Sequence, residues 1–151
     1  MANTKVKRKN KTIGGKIIMK LIEILNANEA LKKLANVKFN SFKTAYELSK
    51  LRKQVDEEVN FYIEEEKKIV EAYASKDENG TPIFLDGGRI KLDSVEAKNN
   101  FEKDINELRN LEIDKISKVS ISPSDFKDDI PTPNEILALE VLIDFKEVGN
   151  E

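Results

Sequence analysis

The sequence predicts a helix-dominated α+β fold, with one long helix packed against shorter helices, a β-hairpin between helices, and short strands. Three observations carry this reading. From Ser41 to Ser75 the chain has neither Pro nor Gly, and Leu48, Val55, Tyr62 and Ile69 recur at a seven-residue spacing. Two short apolar runs flank Gly87-Gly88, the pattern of a tight hairpin. Short β-branched runs stand outside these segments, near residues 20–25 and 111–121.

In chain order, Lys20–Leu25 is too short and too β-branched for a helix of its own and reads as a strand. Asn26 or Asn28 then caps a short helix over Glu29–Val37, with Leu31 and Leu34 facing inward. The long helix over 41–75 follows. Its seam of Leu48, Val55, Tyr62 and Ile69 is filled in by Leu51, Val59 and Tyr73, as expected of a helix against a nearly antiparallel partner. Lys76–Gly80 stops it. Thr81–Leu85 and Arg89–Asp93 form the hairpin around Gly87 and Gly88, where a positive φ carries no Cβ penalty. Asp93 or Ser94 caps a helix running to about Asn110, with Phe101, Ile105 and Leu108 as its apolar stripe. Leu111–Ile121 reads as a strand of imperfect alternation. Residues 124–131 form a loop pinned by Phe126 and Ile130. Thr132-Pro133-Asn134-Glu135 is a strong helix start. The helix it opens, Ile136–Phe145, is apolar around most of its circumference and so is expected to be buried in the domain or against a partner.

Length and composition bound the chemistry. A chain of 151 residues suits one domain. The charged fraction of 36% exceeds the usual quarter and suggests long solvated helix faces. There is no His, Cys or Trp. Thiolate and imidazole nucleophiles, zinc sites built on those ligands and a Ser-His-Asp triad are therefore excluded. An all-carboxylate Mg²⁺ or Ca²⁺ site stays open in principle. The lack of Cys also removes any disulfide framework, which fits a reducing cytoplasm. No run approaches the ~20 apolar residues of a membrane span, and no apolar signal core follows the basic N-terminus. Neither secretion nor a membrane partner is expected. Lysine outnumbers arginine 22 to 4, the mark of an AT-rich coding sequence.

Charge is unevenly spread. Residues 1–18 hold Lys5, Lys7, Arg8, Lys9, Lys11 and Lys16 and no acid, whereas residues 19–151 hold 20 basic and 28 acidic residues, a net charge of −8. Residues 1–18 thus read as a basic disordered tail, and 19–148 as a single α+β domain. Gly14-Gly15-Lys16 can be encoded by GGA-GGA-AAA, a purine-rich ribosome-binding sequence a few codons before Met19. Three readings stand side by side: a translated leader ahead of a native start at Met19, a basic arm that contacts nucleic acid or an acidic partner, or a solvated tail.

The carboxylates do not assemble into a site. Glu64-Glu65-Glu66 are consecutive on a helix, point in different directions and cannot converge on one ion. They read as a solvated face with Glu64–Lys68 support. Asp77, Asn79 and Gly80 mimic part of a calcium loop, but the remaining ligand spacing fails. Asp125, Asp128 and Asp129, with Asp86 or Asp93, read as turn and helix-entry residues. No catalytic, cofactor or metal residue is assigned. The negative net charge of the domain disfavours nucleic acid as its partner.

The order of elements resembles a family of short uncharacterised proteins from phages and prophages of low-GC Gram-positive bacteria. The resemblance rests on three stretches: Met19–Leu25, residues 72–83 at the end of the long helix, and Ile121–Phe126 followed by Pro131–Leu139. It implies a phage accessory protein, in the host cytoplasm or associated with the virion, with no activity or functional residues to carry over. The expected function is non-enzymatic: protein–protein interaction in virion assembly, at the tail, or in modulation of the host, including inhibition of a host defence system. The alternative is a nucleic-acid-binding accessory protein that uses the basic arm. The interaction candidates are the seam residues Leu48, Val55, Tyr62, Ile69 and Tyr73. The 94–110 helix is about half as long as the 41–75 helix, so a partner protein or self-association is expected at the unmatched end.

Overall fold

The computed structural model describes residues 12–13 and 16–146. Helix α1 runs from Leu21 to Ala35 as one element, where the sequence suggested a strand and then a separate helix. Leu21, Ile24, Ala27, Leu31 and Leu34 are all buried and recur three or four residues apart. The helix continues through Asn26 and Asn28, each less favourable there than alanine by less than about 1 kcal/mol, so tertiary burial overrides the local β preference. The start is fixed by the backbone N–H of Lys20, which donates to Glu23 Oε1 at 3.0 Å. The strand character survives only one step earlier. There β3 (Met19–Lys20) pairs antiparallel with β4 (Glu112–Ile113).

Helix α2 spans Phe42–Tyr73, 32 residues or about 48 Å, close to the predicted limits. Ser41 caps it, its hydroxyl accepting from the Thr44 N–H. Helix α3 (Val95–Arg109) is capped by Ser94, which accepts from the Ala97 N–H at 3.0 Å; of the two candidate caps, Asp93 is not the one used. Tyr73 lies against Asp104 and Tyr62 beside Arg109, so α3 runs antiparallel to the second half of α2. The first half of α2 packs on α1. The two shorter helices thus share the long one between them. The length mismatch that suggested an unmatched end is made up by α1, which the sequence had divided.

The segment after α3 holds two short strands, not one. β4 is followed by a loop that buries Ile116, and then by β5 (Val119–Ile121), whose Val119 and Ile121 point inward. Helix α4 (Pro133–Leu139) begins as expected. Thr132 Oγ1 accepts from the Glu135 N–H, and Glu135 Oε1 accepts from the Thr132 N–H at 2.9 Å. It ends six residues before Phe145, the predicted end. The chain turns and Ile143–Phe145 forms β6, parallel to β5 in the register Val119↔Ile143 and Ile121↔Phe145. A run broken only by Glu140 and Asp144 has little period to separate helix from buried strand, and the partner strand lies in another part of the sequence. α4 serves as the crossover that a parallel pair requires.

The core sits at one end of α2. Its buried members come from Met19 to Tyr62 and from Ile113 to Ile143. Between residues 63 and 112 only Ala74, Ser75 and Ile105 are buried. The molecule is therefore a packed head with an arm made of the second half of α2, the 74–94 loop and α3. In the head, Asn40 secures the 123–126 turn: its Nδ2 donates to the carbonyls of Ser124 and Phe126, and its N–H to that of Asp125. Phe39 and Phe126 pack with ring centroids 5.4 Å apart. Phe126 thus pins its loop as expected. Ile130 does not, being 69% exposed.

Residues 1–11 and 14–15, which hold most of the predicted basic tail, and residues 147–151 lie outside the described residues. Thr12–Ile13 (β1) pairs antiparallel with Lys16–Ile17 (β2). No helix among the described residues is long and apolar enough to cross a membrane.

Candidate interaction groove

The arm is built around the predicted hairpin, here reinforced by a third segment. Lys91 N–H donates to the Ile83 carbonyl, Ile83 N–H to that of Ser75, and Ser75 N–H to that of Lys91, all at 2.8–2.9 Å. The segment leaving α2 is thereby tied to both arms of the hairpin, and a single β-bridge, Phe84↔Ile90, completes the pairing near the tip. Gly87 and Gly88 both have positive φ (81° and 77°), a conformation that their lack of a Cβ permits. Asp77 Oδ1 accepts from the N–H groups of Asn79 and Thr81 at 2.9 and 3.0 Å. This carboxylate is therefore occupied in a turn, as its sequence context suggested.

Between the hairpin, the end of α2 and α3 lies a groove of about 720 Å³. Val70, Ile90, Leu92, Phe101 and Ile105 line it, together with Phe84 and Leu85 from the hairpin tip. Phe84 is 60% and Leu85 46% exposed, so the groove is open on that side. Arg89, Lys98 and Arg109 also line it, together with Glu66 and Glu102. Glu66 is engaged within the chain, accepting from the Tyr62 hydroxyl at 2.6 Å. Burial pushes the Tyr62 phenol above its ordinary pKa and the Glu66 hydrogen bond adds to this, while the neighbouring Arg109 opposes it. The Tyr73 hydroxyl donates to Asp104 Oδ2 at 2.7 Å. That bond, with some burial and the charges of Asp104 and Glu107, raises the Tyr73 pKa.

Comparison with protein families, curated proteins and solved structures finds no match.

The predicted seam residues do not form one exposed surface. Leu48 and Val55 are buried in the head core and Tyr62 is buried where the arm begins. Ile69 and Tyr73 are half-buried, the latter through its bond to α3. Their apolar surface is spent mainly inside the chain, because α1 and α3 together cover the seam. Sequence reasoning missed the groove itself, since its walls come from three segments. One signal was available: two of the three arginines beyond residue 18 are Arg89 and Arg109. The triple glutamate diverges as expected from helical geometry. Glu65 pairs with Lys68 at 3.2 Å and Glu66 with Tyr62, although the lysine contact is to Glu65, not Glu64. Among the described residues no three acidic side chains gather as a metal site would need.

Proposed function

We propose that this protein is a non-enzymatic phage or prophage accessory factor that works by binding another protein through the groove at the end of its arm. The single observation that carries the reading is the open, apolar-lined groove bounded by Phe84, Leu85 and Phe101. Exposed apolar surface gathered in one concave place marks an interaction site more often than scattered exposure does. The lack of imidazole and thiol groups removes the commonest nucleophiles and general bases from the chain. The resemblance to short phage proteins supplies the setting, in the host cytoplasm or on the virion.

Affinity capture from a lysate of a low-GC Gram-positive host carrying the phage tests this. Wild type should retain a partner that the Phe84→Asp, Leu85→Asp double variant loses. Equal capture by both, or by neither, refutes the groove as the binding surface. A nucleic-acid accessory role predicts something different: a mobility shift that disappears when residues 1–18 are deleted.

A further inference from the structure

From the charge pattern around the groove, we infer that its occupant is an acidic, amphipathic segment of another protein, with apolar side chains entering the groove and carboxylates meeting Arg89 and Lys98. The inference rests on the interaction reading above and specifies the partner's chemistry. The chain strongly prefers lysine, 22 to 4. Of its arginines beyond residue 18, Arg52 is used within α2, paired with Asp56 at 3.2 Å. The other two both line this groove. Among the described residues, neither they nor Lys98 has a carboxylate within ion-pair distance. Arginine presents a planar fork of donors that matches a carboxylate in two-point contact, which lysine cannot do.

The sign of the rim is the reverse of its surroundings. Residues 19–151 carry a net charge of −8, yet the groove holds three cations against Glu66 and Glu102; Glu66 and Arg109 both engage the Tyr62 hydroxyl, which leaves Arg89 and Lys98 against Glu102. A basic rim on an acidic body steers acidic partners here and repels them elsewhere. A small apolar acid fits less well. Small-ligand sites enclose most of their ligand, and the 60% exposure of Phe84 leaves one wall open.

The test is selection of binders from a random-peptide display library on the full chain, with the Phe84→Asp chain for counter-selection. Enriched peptides should pair apolar residues at helical or alternating spacing with an excess of Asp and Glu over Lys and Arg. In fluorescence anisotropy the best peptide should bind about tenfold more weakly to the Arg89→Glu, Lys98→Glu chain, both positions being exposed. Raised salt should narrow that gap, and circular dichroism should show the fold intact. Enrichment of basic or neutral peptides, no enrichment that depends on Phe84, or unchanged affinity after charge reversal overturns the inference. So does sedimentation showing a dimer that Phe84→Asp dissociates, because a second copy would then occupy the groove. Neutral or basic peptides that still require Phe84 would refute the acidic partner while leaving protein docking at the groove intact. Loss of both this and the host capture would refute both.

Discussion

Replacing Leu51 by alanine probes the division of α2 between head and arm. Leu51 is 1% exposed and belongs to the core that α1 and the strands share. Three carbon groups leave apolar surroundings at roughly 0.8 kcal/mol each, about 2.4 kcal/mol. The cavity left behind brings the expected loss to about 3–4 kcal/mol. Ile69→Ala removes a similar volume from the arm, where the side chain is half-buried and stands outside the core cluster. Its cost should stay near 1 kcal/mol. Urea unfolding followed by circular dichroism at the helix band measures both. The Leu51 variant should unfold about 1.5–2 M earlier at an unchanged slope, and the Ile69 variant within about 0.7 M of wild type. Equal losses would refute the placement of the core at one end of the molecule. A second, earlier transition in the Ile69 variant alone would show the arm unfolding separately from the head.

Four further outcomes follow from single contacts. Thr132→Ala removes the hydroxyl that accepts from Glu135 and should cost about 1 kcal/mol in the same assay. Glu135 has its pKa lowered first by the Thr132 backbone N–H, then by the Thr132 hydroxyl and the charge of Lys33. Its stabilisation is therefore present above the ordinary carboxylate range and is lost as pH falls through the lowered folded value; Glu135→Gln should flatten that part of the acid-stability profile. Tyr73→Phe deletes a phenol whose pKa is raised mainly by its bond to Asp104. That contribution is complete below pH about 10 and disappears as pH rises through the folded value, so ultraviolet titration should lose one late-ionising tyrosine. Asn40→Ala breaks the side-chain bonds to the Ser124 and Phe126 carbonyls. Stability should fall by about 1–2 kcal/mol, with faster amide exchange at Asp125 and Phe126 and little change in α3.

Local physics alone determined several elements. Phe42–Tyr73 has neither Gly nor Pro and repeats its apolar residues every seven positions, so it needs no distant partner to be recognised as helix. The Thr132-Pro133-Glu135 start and the Gly87-Gly88 turn are likewise set by hydrogen bonds and dihedral freedom within a few residues. The helix-dominated α+β class was legible for the same reason. Tertiary structure decided the rest. Leu21 and Ile24 became helical because doing so aligns them with Leu31 and Leu34 over one core face, a gain invisible in a six-residue window. Ile143–Phe145 became a strand because Val119–Ile121 was available to pair with it. The groove depends on three segments meeting, so residues such as Phe84, Arg89 and Arg109 acquired a common role only when the chain closed around them. Short-range propensity is written along the sequence; which apolar faces find each other is a property of the whole fold.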